Sequence, residues 1–280
     1  MSRRVLLTGS TGFVGRQVLG ALREEPVAIR LAVRENRARN GLLDSPDLEV
    51  VESADIFSES PDWWASVCSD VDTVIHVAWY AEPGKYLESP KNLDCLSGTL
   101  TLAKACAQAG VRHFVGVGTC FEYDLEGGLL SVDTPLKPET LYGSAKAATY
   151  LSLARYFSGL GMEFSWCRLF YLYGEGEDER RLTAYIRARL SRGEPADLSS
   201  GRQVRDFLDV KDAGVAIARV ALGSGRGAVN ICSGQGVSVR ELAERIADDF
   251  GRRDLLRFGA RPDNANEPPF IVGVLTGGDA

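Results

Sequence analysis

The chain has 280 residues, of which 45% are hydrophobic and 25% are charged, proportions typical of a soluble globular protein. This length accommodates one large α/β domain or two modest lobes that share an interface. The net charge of -6 at pH 7 argues against a general nucleic-acid binder or an anionic-membrane binder. No apolar run reaches the roughly 18 residues of a transmembrane helix, and none near Met1 resembles a signal-peptide core. We therefore expect a cytoplasmic protein.

Short β-rich runs alternate with longer helical runs along the first 170 residues or so, the pattern of a parallel sheet wrapped by helices. The predicted strands cover 5–8, 28–33, 48–51, 71–77, 114–118 and 164–169. The predicted helices cover 14–23, 63–68, 95–108 and 142–160. Right-handed crossovers would wind these elements into a Rossmann-type doubly wound parallel sheet of the α/β class.

The sequence changes character after that sheet. A polar stretch at 174–179 precedes an arginine-rich helix around 180–192, a hairpin-like segment at 197–208 and a helix at 239–250. We predict a Rossmann domain over 1–168 and a smaller, mainly substrate-binding C-terminal lobe over 169–280. A segment of about 205–235 is expected to return to the Rossmann domain, with a strand at 228–231.

A glycine-rich turn separates the first strand from the first helix. It reads TGSTGFVG over 8–15, with glycines spaced G-x-x-G-x-x-G. Lacking Cβ atoms, the first two glycines let the backbone approach a pyrophosphate, and the third lets the helix pack closely on the strand. The helix N-terminus offers N–H groups and a partial positive charge to the phosphates. A structural turn is the alternative. The predicted cofactor contacts here are Gly9, Thr11, Gly12, Phe13, Val14 and Gly15.

The end of the second strand bears on which dinucleotide binds. NAD sites usually place an acidic residue there to bond the ribose 2′-hydroxyl, whereas this strand ends in Arg34, with Glu35 next to it. A guanidinium suits a 2′-phosphate through bidentate charge-assisted hydrogen bonds, and Arg37 and Arg39 follow. We favour NADP(H) with Arg34 as the main contact, a solvated basic loop being the alternative.

Tyr142 and Lys146 lie four residues apart at the start of a predicted helix, hence on one face. A free tyrosine has a pKa of about 10 and is a poor acid–base catalyst at neutral pH. A neighbouring ammonium and a nicotinamide's positive charge would lower that pKa. Such a pair also occurs by chance, so this interpretation depends on the glycine turn and on the strand that ends before Thr119.

Eight segments together resemble the extended short-chain dehydrogenases/reductases, the NAD-dependent epimerase/dehydratase family that acts largely on nucleotide sugars. They are TGSTGFVG at 8–15, VIHVAW at 74–79, SGTLTLAKA at 97–105, VGVGTCFEYD at 115–124, YGSAK at 142–146, RLFYLYGEGE at 168–177, RQVRDFLDVKD at 202–212 and VNICSGQGVSVRELA at 229–243. The resemblance implies that Tyr142 is the acid or base and that Lys146 holds the nicotinamide ribose and lowers the tyrosine pKa. Thr119 would hydrogen-bond the reacting oxygen.

Several positions depart from the family's pattern. Family dehydratases carry an Asp-Glu pair directly after the threonine, whereas this chain has Cys120 and Phe121, so dehydration is not expected. Glu122 comes one residue later and on a strand would face the other way. Cys95 replaces a family Asn that supports the active site, and Tyr171 replaces one that commonly touches substrate phosphates.

The remaining predicted contacts are assigned by the resemblance. Asp55 and Ile56, at the end of the third strand, could border the adenine, and Ala78 is assigned to the cofactor. The predicted substrate contacts are Trp79, Tyr80, Tyr86, Cys120, Tyr171 and Arg205. The three aromatic residues after the fourth strand could equally be packing residues. Arg205 matches a family arginine that often pairs with substrate phosphates, and a structural salt bridge is its alternative.

No metal site is predicted, because the chain has no cluster of histidine, cysteine and carboxylate residues at metal-ligand spacing. The two histidines, His76 and His113, lie in or beside apolar strands and are expected to be structural. The six scattered cysteines are expected to be reduced core thiols.

The leading hypothesis is an NADPH-dependent ketoreductase of a nucleotide-linked 4-keto-6-deoxysugar, with Tyr142 as the proton donor. A nucleotide-sugar epimerase is one alternative, although family epimerases typically retain NAD and Arg34 counts against that. A reductase of a non-nucleotide carbonyl compound is another. The third is a non-catalytic NADP-binding protein, because fold alone does not fix function.

The family also suggests a homodimer formed through the Tyr142 helix. Tyr150, Leu153 and Phe157 supply apolar residues for such a contact. A monomer is the alternative.

Overall fold

The computed structural model describes residues 3–35, 48–223, 225–264 and 267–275. Within them the strands are β1 (Arg4–Thr8), β2 (Ala28–Arg34), β3 (Leu48–Ser53), β4 (Thr73–His76), β5 (His113–Thr119), β6 (Leu129–Leu130), β7 (Glu163–Leu169), β8 (Tyr171–Tyr173), β9 (Ala196–Leu198), β10 (Val204–Asp209), β11 (Gly227–Ile231), β12 (Gly236–Ser238), β13 (Leu256–Phe258) and β14 (Phe270–Gly273). The helices are α1 (Phe13–Arg23), α2 (Pro61–Val67), α3 (Lys91–Ala109), α4 (Leu141–Leu160), α5 (Leu182–Ser191), α6 (Val210–Leu222) and α7 (Val239–Phe250).

A seven-stranded, all-parallel sheet forms the centre of the fold, in the order β3-β2-β1-β4-β5-β7-β11. The strand order runs outward from β1 in one direction and from β4 in the other, so the sheet is doubly wound, as predicted. Ligands bind such sheets at the carboxyl ends of the strands where the order reverses, which here is the β1–β4 boundary.

The sheet is buried on both faces because successive side chains of a strand point to opposite sides. Val5 and Leu7 pack toward α1 and α6, whereas Leu6 packs with α2, α3 and α4. All three side chains are fully buried. None of the helices in the described ranges is both long enough and apolar enough to cross a bilayer.

Helix α6, which the sequence analysis did not predict, packs against α1 on the same face of the central sheet. It begins at Asp209, whose carboxylate accepts a hydrogen bond from the Lys211 N–H at 2.8 Å. At Gly214 the two helices approach so closely that a Cβ atom would lie 2.6 Å from the backbone of Gln17. After α6 the chain enters β11, where the sequence predicted a returning strand.

A second sheet is organised around β10, which pairs with β12, β14 and β8. The predicted hairpin over 197–208 is wrong, because its two runs join different sheets. β9 pairs in parallel with β13, about 60 residues later, and not with β10. Helices α5 and α7 pack over this region through a separate apolar cluster that includes Ile186 and Ile246.

The expected dimer surface on α4 is not where the sequence analysis placed it. Leu153 and Phe157 are buried in the core beside β7, and Tyr150 packs against the same cluster. The exposed apolar side chains of this helix are instead Leu151 and Leu160, with Tyr156 beside them.

The two histidines are structural, as expected. His76 lies between the Thr8 and Thr99 hydroxyls at 2.9 and 3.0 Å, and burial lowers its pKa to about 3. His113 contacts Ser165 and a backbone carbonyl, and burial lowers its pKa to about 4. All six cysteines are buried free thiols, as predicted. In the described part of the chain no three metal-ligating side chains cluster.

Candidate active site

A cavity of about 790 Å³ opens at the carboxyl ends of the central strands, at the β1–β4 boundary. Most of the predicted site residues line it, although they come from distant parts of the sequence. They are Gly9, Thr11, Gly12, Phe13, Val14, Gly15, Arg34, Asp55, Ile56, Ala78, Trp79, Tyr86, Thr119, Cys120, Tyr142, Lys146 and Tyr171. The other two, Tyr80 and Arg205, are not among the lining residues.

The glycine turn forms a backbone cradle at one end of this cavity. Gly9 has a φ of +74°, and a Cβ atom there would lie 2.7 Å from the Ala78 nitrogen. A Cβ atom on Gly15 would lie 2.0 Å from the Gly9 carbonyl oxygen. No side chain caps the N-terminus of α1, and its first turn carries no acidic residue. Its partial positive charge can therefore stabilise an anion, so the turn fits a dinucleotide pyrophosphate.

Replacing Gly15 with alanine should weaken binding of a nicotinamide dinucleotide roughly tenfold or more, about 1.4 kcal/mol, because the new methyl group displaces the turn. Gly20→Ala is the matched control in the same helix, since an added Cβ there meets nothing within 4 Å. It should stabilise the fold by roughly 0.5–1 kcal/mol through helix propensity. Fluorescence titration with NADPH and urea unfolding measure the two effects. Equal NADPH affinity in both variants would contradict the role of the turn.

Arg34 lies at the carboxyl end of β2, opposite Ser53 of β3, with its side chain exposed at the cavity. On the adjoining turn the Asp55 carboxylate accepts hydrogen bonds from the Phe57 N–H at 3.2 Å and the Ser58 hydroxyl at 3.1 Å. Asp55 thus shapes the cavity wall with its own side chain. Arg37, which the sequence analysis placed in this basic loop together with Arg39, lies outside the described residues, as does Arg39.

Thr119, Tyr142 and Lys146 come together because α4 begins directly against the turn that follows β5. A Cβ atom on Gly143 would lie 2.5 Å from the Phe121 carbonyl oxygen, so the glycine permits this close approach. Thr140 caps α4 by accepting a hydrogen bond from the Gly143 N–H at 3.1 Å. This places the Thr119 side chain beside that of Tyr142.

Tyr142 has a raised pKa. Burial is the main cause, and the neighbouring Tyr86 and Glu122 add to it, while the nearby Thr119 side chain opposes it. The Tyr86 ring meets the Tyr142 ring edge-on, with centroids 4.9 Å apart. The lowering predicted from a neighbouring ammonium and a nicotinamide charge is not seen here, because burial dominates and Lys146 is not among the groups that shift this pKa. Tyr142 is therefore held as a neutral phenol, the form that can donate a proton.

Lys146 is buried, and its ammonium donates a hydrogen bond to the Val117 carbonyl oxygen at 2.5 Å. The nitrogen also lies 3.7 Å from the centre of the Trp79 ring. Burial lowers the pKa of Lys146 to about 7, and Glu122 and Cys95 oppose that shift.

Glu122 is fully buried and belongs to the wall behind Thr119 rather than to the cavity, consistent with the expectation that it faces away. Its carboxylate accepts hydrogen bonds from the Thr119 N–H at 2.8 Å, the Trp166 indole at 3.0 Å and the Arg168 guanidinium at 2.7 Å. Burial raises the Glu122 pKa, and Arg168 opposes that shift. With Cys120 and Phe121 at the cavity surface, no carboxylate directly follows Thr119 there.

Replacing Glu122 with glutamine should destabilise the fold by about 3–5 kcal/mol, because it leaves the Arg168 charge buried without a counter-ion. Guanidinium chloride unfolding measures this change. Glu126→Gln is the control: its carboxylate is 79% exposed and pairs with Lys137 at 3.4 Å, so its loss should cost less than about 1 kcal/mol. Similar losses in both variants would contradict the structural role of the buried pair.

Two arginines that the sequence analysis did not assign to the site, Arg180 and Arg181, also line the cavity. Arg181 pairs with Glu177 at 3.3 Å, and its guanidinium carbon lies 5.7 Å from the centre of the Phe13 ring. The signal that could have found them is the run of arginines directly after a glycine-containing loop. Arg180 pairs with Asp178, another cavity residue, at 2.8 Å, so each of these guanidiniums has a carboxylate partner.

The two predicted substrate residues off the cavity surface have partners of their own. Arg205 is 1% exposed and donates a hydrogen bond to Glu267 at 2.6 Å, the salt bridge that was its alternative. Its guanidinium carbon lies 5.4 Å from the Tyr171 ring, so it supports a cavity residue from behind. The Tyr80 hydroxyl donates to Glu82 at 3.0 Å, and Lys91 covers its ring.

Comparison with known proteins identifies the family. The sequence profile of the NAD dependent epimerase/dehydratase family matches residues 5–232. This chain belongs to that family. Among related members, the dTDP-6-deoxy-L-talose 4-dehydrogenase (NAD(+)) of Aggregatibacter actinomycetemcomitans is 25% identical over 96% of this chain and 99% of its own. The GDP-6-deoxy-D-mannose reductase of Pseudomonas aeruginosa is 28% identical over 89% of this chain and 80% of its own.

A solved structure extends the likeness to three dimensions. MoeE5 in complex with UDP-glucose and NAD superimposes with a TM-score of 0.81 at 26% identity, covering 98% of this chain and 90% of its own. The Rossmann-like parallel sheet predicted from the sequence is therefore confirmed.

Proposed function

We propose that this protein is an NADPH-dependent ketoreductase of a nucleotide-linked 4-keto-6-deoxysugar. The observation that carries the proposal is the meeting of Thr119, Tyr142 and Lys146 in one cavity with the glycine turn. Tyr142 is held there as a neutral phenol, the form that can protonate a carbonyl oxygen as it is reduced.

Each part of the cavity has a separate role in the proposed reaction. The turn from Gly9 to Gly15 and the N-terminus of α1 bind the pyrophosphate, and Arg34 binds the 2′-phosphate. When bound, NADPH supplies the hydride. Thr119 hydrogen-bonds the substrate oxygen and orients it, while Tyr142 donates a proton to that oxygen. Lys146 holds the nicotinamide ribose next to them.

Two observations favour a reductase over the family's other reactions. A dehydratase needs an acid and a base that flank the reacting carbons, and this chain offers Cys120 and Phe121 there, with Glu122 committed to Arg168. The two related enzymes named above are oxidoreductases of 6-deoxysugar nucleotides by their names, which supports both the reaction and the substrate class.

Arg34 supports the choice of NADPH over NADH because its guanidinium is the group exposed at the end of β2. The named dehydrogenase uses NAD(+), and MoeE5 was solved with NAD, so the preference needs a direct test.

The test is loss of NADPH absorbance on adding a panel of nucleotide-linked 4-keto-6-deoxysugars, with NADH in parallel. We expect stoichiometric NADPH oxidation by at least one sugar and slower oxidation of NADH. NADPH binding without oxidation across the panel would overturn the proposal. Tightly bound NAD in the purified protein would favour an epimerase instead.

A further inference from the structure

Lys146 has unusual surroundings for a buried ammonium. Its hydrogen-bond partner is the Val117 carbonyl, and among the described residues it makes no ion pair with a carboxylate. The titratable groups that face it from the neighbouring elements are Glu122, behind β5, the Cys95 thiol of α3 and the His76 imidazole of β4. The thiol already accepts a hydrogen bond from the Tyr80 N–H at 3.4 Å. Besides that carbonyl, the face of the Trp79 ring lies in direct contact with the ammonium and can stabilise its positive charge.

The distance of 3.7 Å between the Lys146 nitrogen and the Trp79 ring centre is well within cation–π range. Trp166 is the other indole near the ammonium, at 5.8 Å. A desolvated cation gains more from an aromatic face than an exposed one does, and indole gives the largest effect among the side chains. Trp79 is therefore placed to offset part of the cost of burying the charge.

Trp79 is itself held firmly. Its indole N–H donates to the Asn92 side-chain oxygen at 2.8 Å, and Asn92 is fully buried. The amide nitrogen of Asn92 donates to the carbonyls of Tyr86 and Ser89 at 2.7 and 2.9 Å. One buried amide thus fixes the indole and also the loop that presses Tyr86 edge-on against Tyr142.

We propose that Trp79 is a positioning residue that holds the Lys146 ammonium through its ring face, with Asn92 as its anchor. The sequence analysis assigned Trp79 to the substrate or to packing, and the geometry gives it this third role. The importance of this contact for catalysis rests on the proposed function. The existence of the contact does not depend on that function.

The experiment replaces hydrogens of the indole with fluorine, which weakens the ring's attraction for a cation with little change in size. The protein is produced with tryptophan, then with mono-, di- and trifluorotryptophan, and with lysine labelled with carbon-13 at Cε. The chain has six lysines and four tryptophans, so the spectra are simple. The Lys146→Arg variant identifies the Lys146 signal. Titration by NMR then gives the Lys146 pKa in each protein.

We expect the Lys146 pKa to fall stepwise with each fluorine, by roughly half a pH unit or more across the series. The sign follows because weaker stabilisation of the ammonium favours the neutral amine. In Trp79→Phe protein labelled in the same way, the Lys146 pKa should no longer depend on the number of fluorine atoms. In Trp63→Phe protein, altered on α2 outside the cavity, that dependence should persist. If Trp79→Phe does not fold, the Trp166→Phe variant is used instead. The Lys146 pKa must still fall with the number of fluorine atoms in that variant, because Trp79 is still present. A Lys146 pKa that is constant across the series overturns the proposal.

This titration needs no substrate, so its outcome is independent of the NADPH assay. If the protein turns over a ketosugar, the alkaline limb of kcat should move to lower pH along the same series, because the ammonium form is lost earlier. A shifted titration with an inactive sugar panel would reject the proposed function and keep the Trp79 contact. An active enzyme whose Lys146 pKa does not shift would support the proposed function and reject the Trp79 contact.

Discussion

Tyr142→Phe protein should reduce a responsive ketosugar roughly 10²- to 10⁴-fold more slowly than the wild type, the usual contribution of a positioned general acid. The substitution removes one hydroxyl and keeps the ring that packs edge-on against Tyr86. NADPH binding should change by less than about twofold, because the proposed cofactor contacts of the glycine turn and Arg34 are untouched. Stopped-flow reduction and fluorescence titration with NADPH measure the two effects separately.

Tyr156→Phe is the matched control for this loss. Tyr156 is on the same helix as Tyr142, but it lies on the outer surface with 37% of its area exposed. Its variant should keep wild-type turnover. If Tyr142→Phe also keeps wild-type turnover, the phenol is not the proton donor, and another group must protonate the reduced oxygen.

Arg34→Asp should reverse the cofactor preference. A guanidinium bonded to a phosphate contributes about 1.5–3 kcal/mol, and a carboxylate in its place repels the phosphate while suiting a ribose 2′-hydroxyl. We expect the ratio of kcat/KM for NADPH to that for NADH to fall roughly 100-fold, with turnover on NADH preserved. Steady-state assays with both cofactors on one substrate give this ratio directly.

The control for the charge change is Arg257→Asp, an exposed arginine on β13 in the smaller lobe. It alters the net charge equally and should leave the ratio unchanged. Parallel loss of activity with both cofactors in Arg34→Asp would mean that Arg34 supports the fold instead of reading the 2′-phosphate.

The parts of the fold that local sequence predicts well are those with strong local signals. The glycine spacing at 8–15 locates the dinucleotide turn, and the six apolar strand runs together with the returning strand at 228–231 locate all seven central strands. Motif order brings Thr119, Tyr142 and Lys146 together without any coordinates, because the carboxyl end of β5 and the start of α4 meet at the same edge of the sheet.

The parts that were missed depend on partners far away in the chain. β9 pairs with β13 and not with the strand predicted as its hairpin partner. Arg205 forms a salt bridge with Glu267, 62 residues later. Nothing near Lys146 in sequence indicates Trp79, because β4 and α4 meet only in the folded sheet. Helix α6 had a local signal in Val210, Ala213, Ile217 and Ala221, spaced for one buried face, and could have been predicted from it.

The close packing of α6 on α1 has a consequence for how the protein is made. The glycine turn leaves the ribosome about 200 residues before the end of the helix that covers α1, at Leu222, and before the last central strand, which ends at Ile231. Domains generally fold as units during synthesis. A nascent chain stalled before α6 would therefore expose the outer face of α1, and a dinucleotide should not protect it from protease until α6 and β11 have been translated.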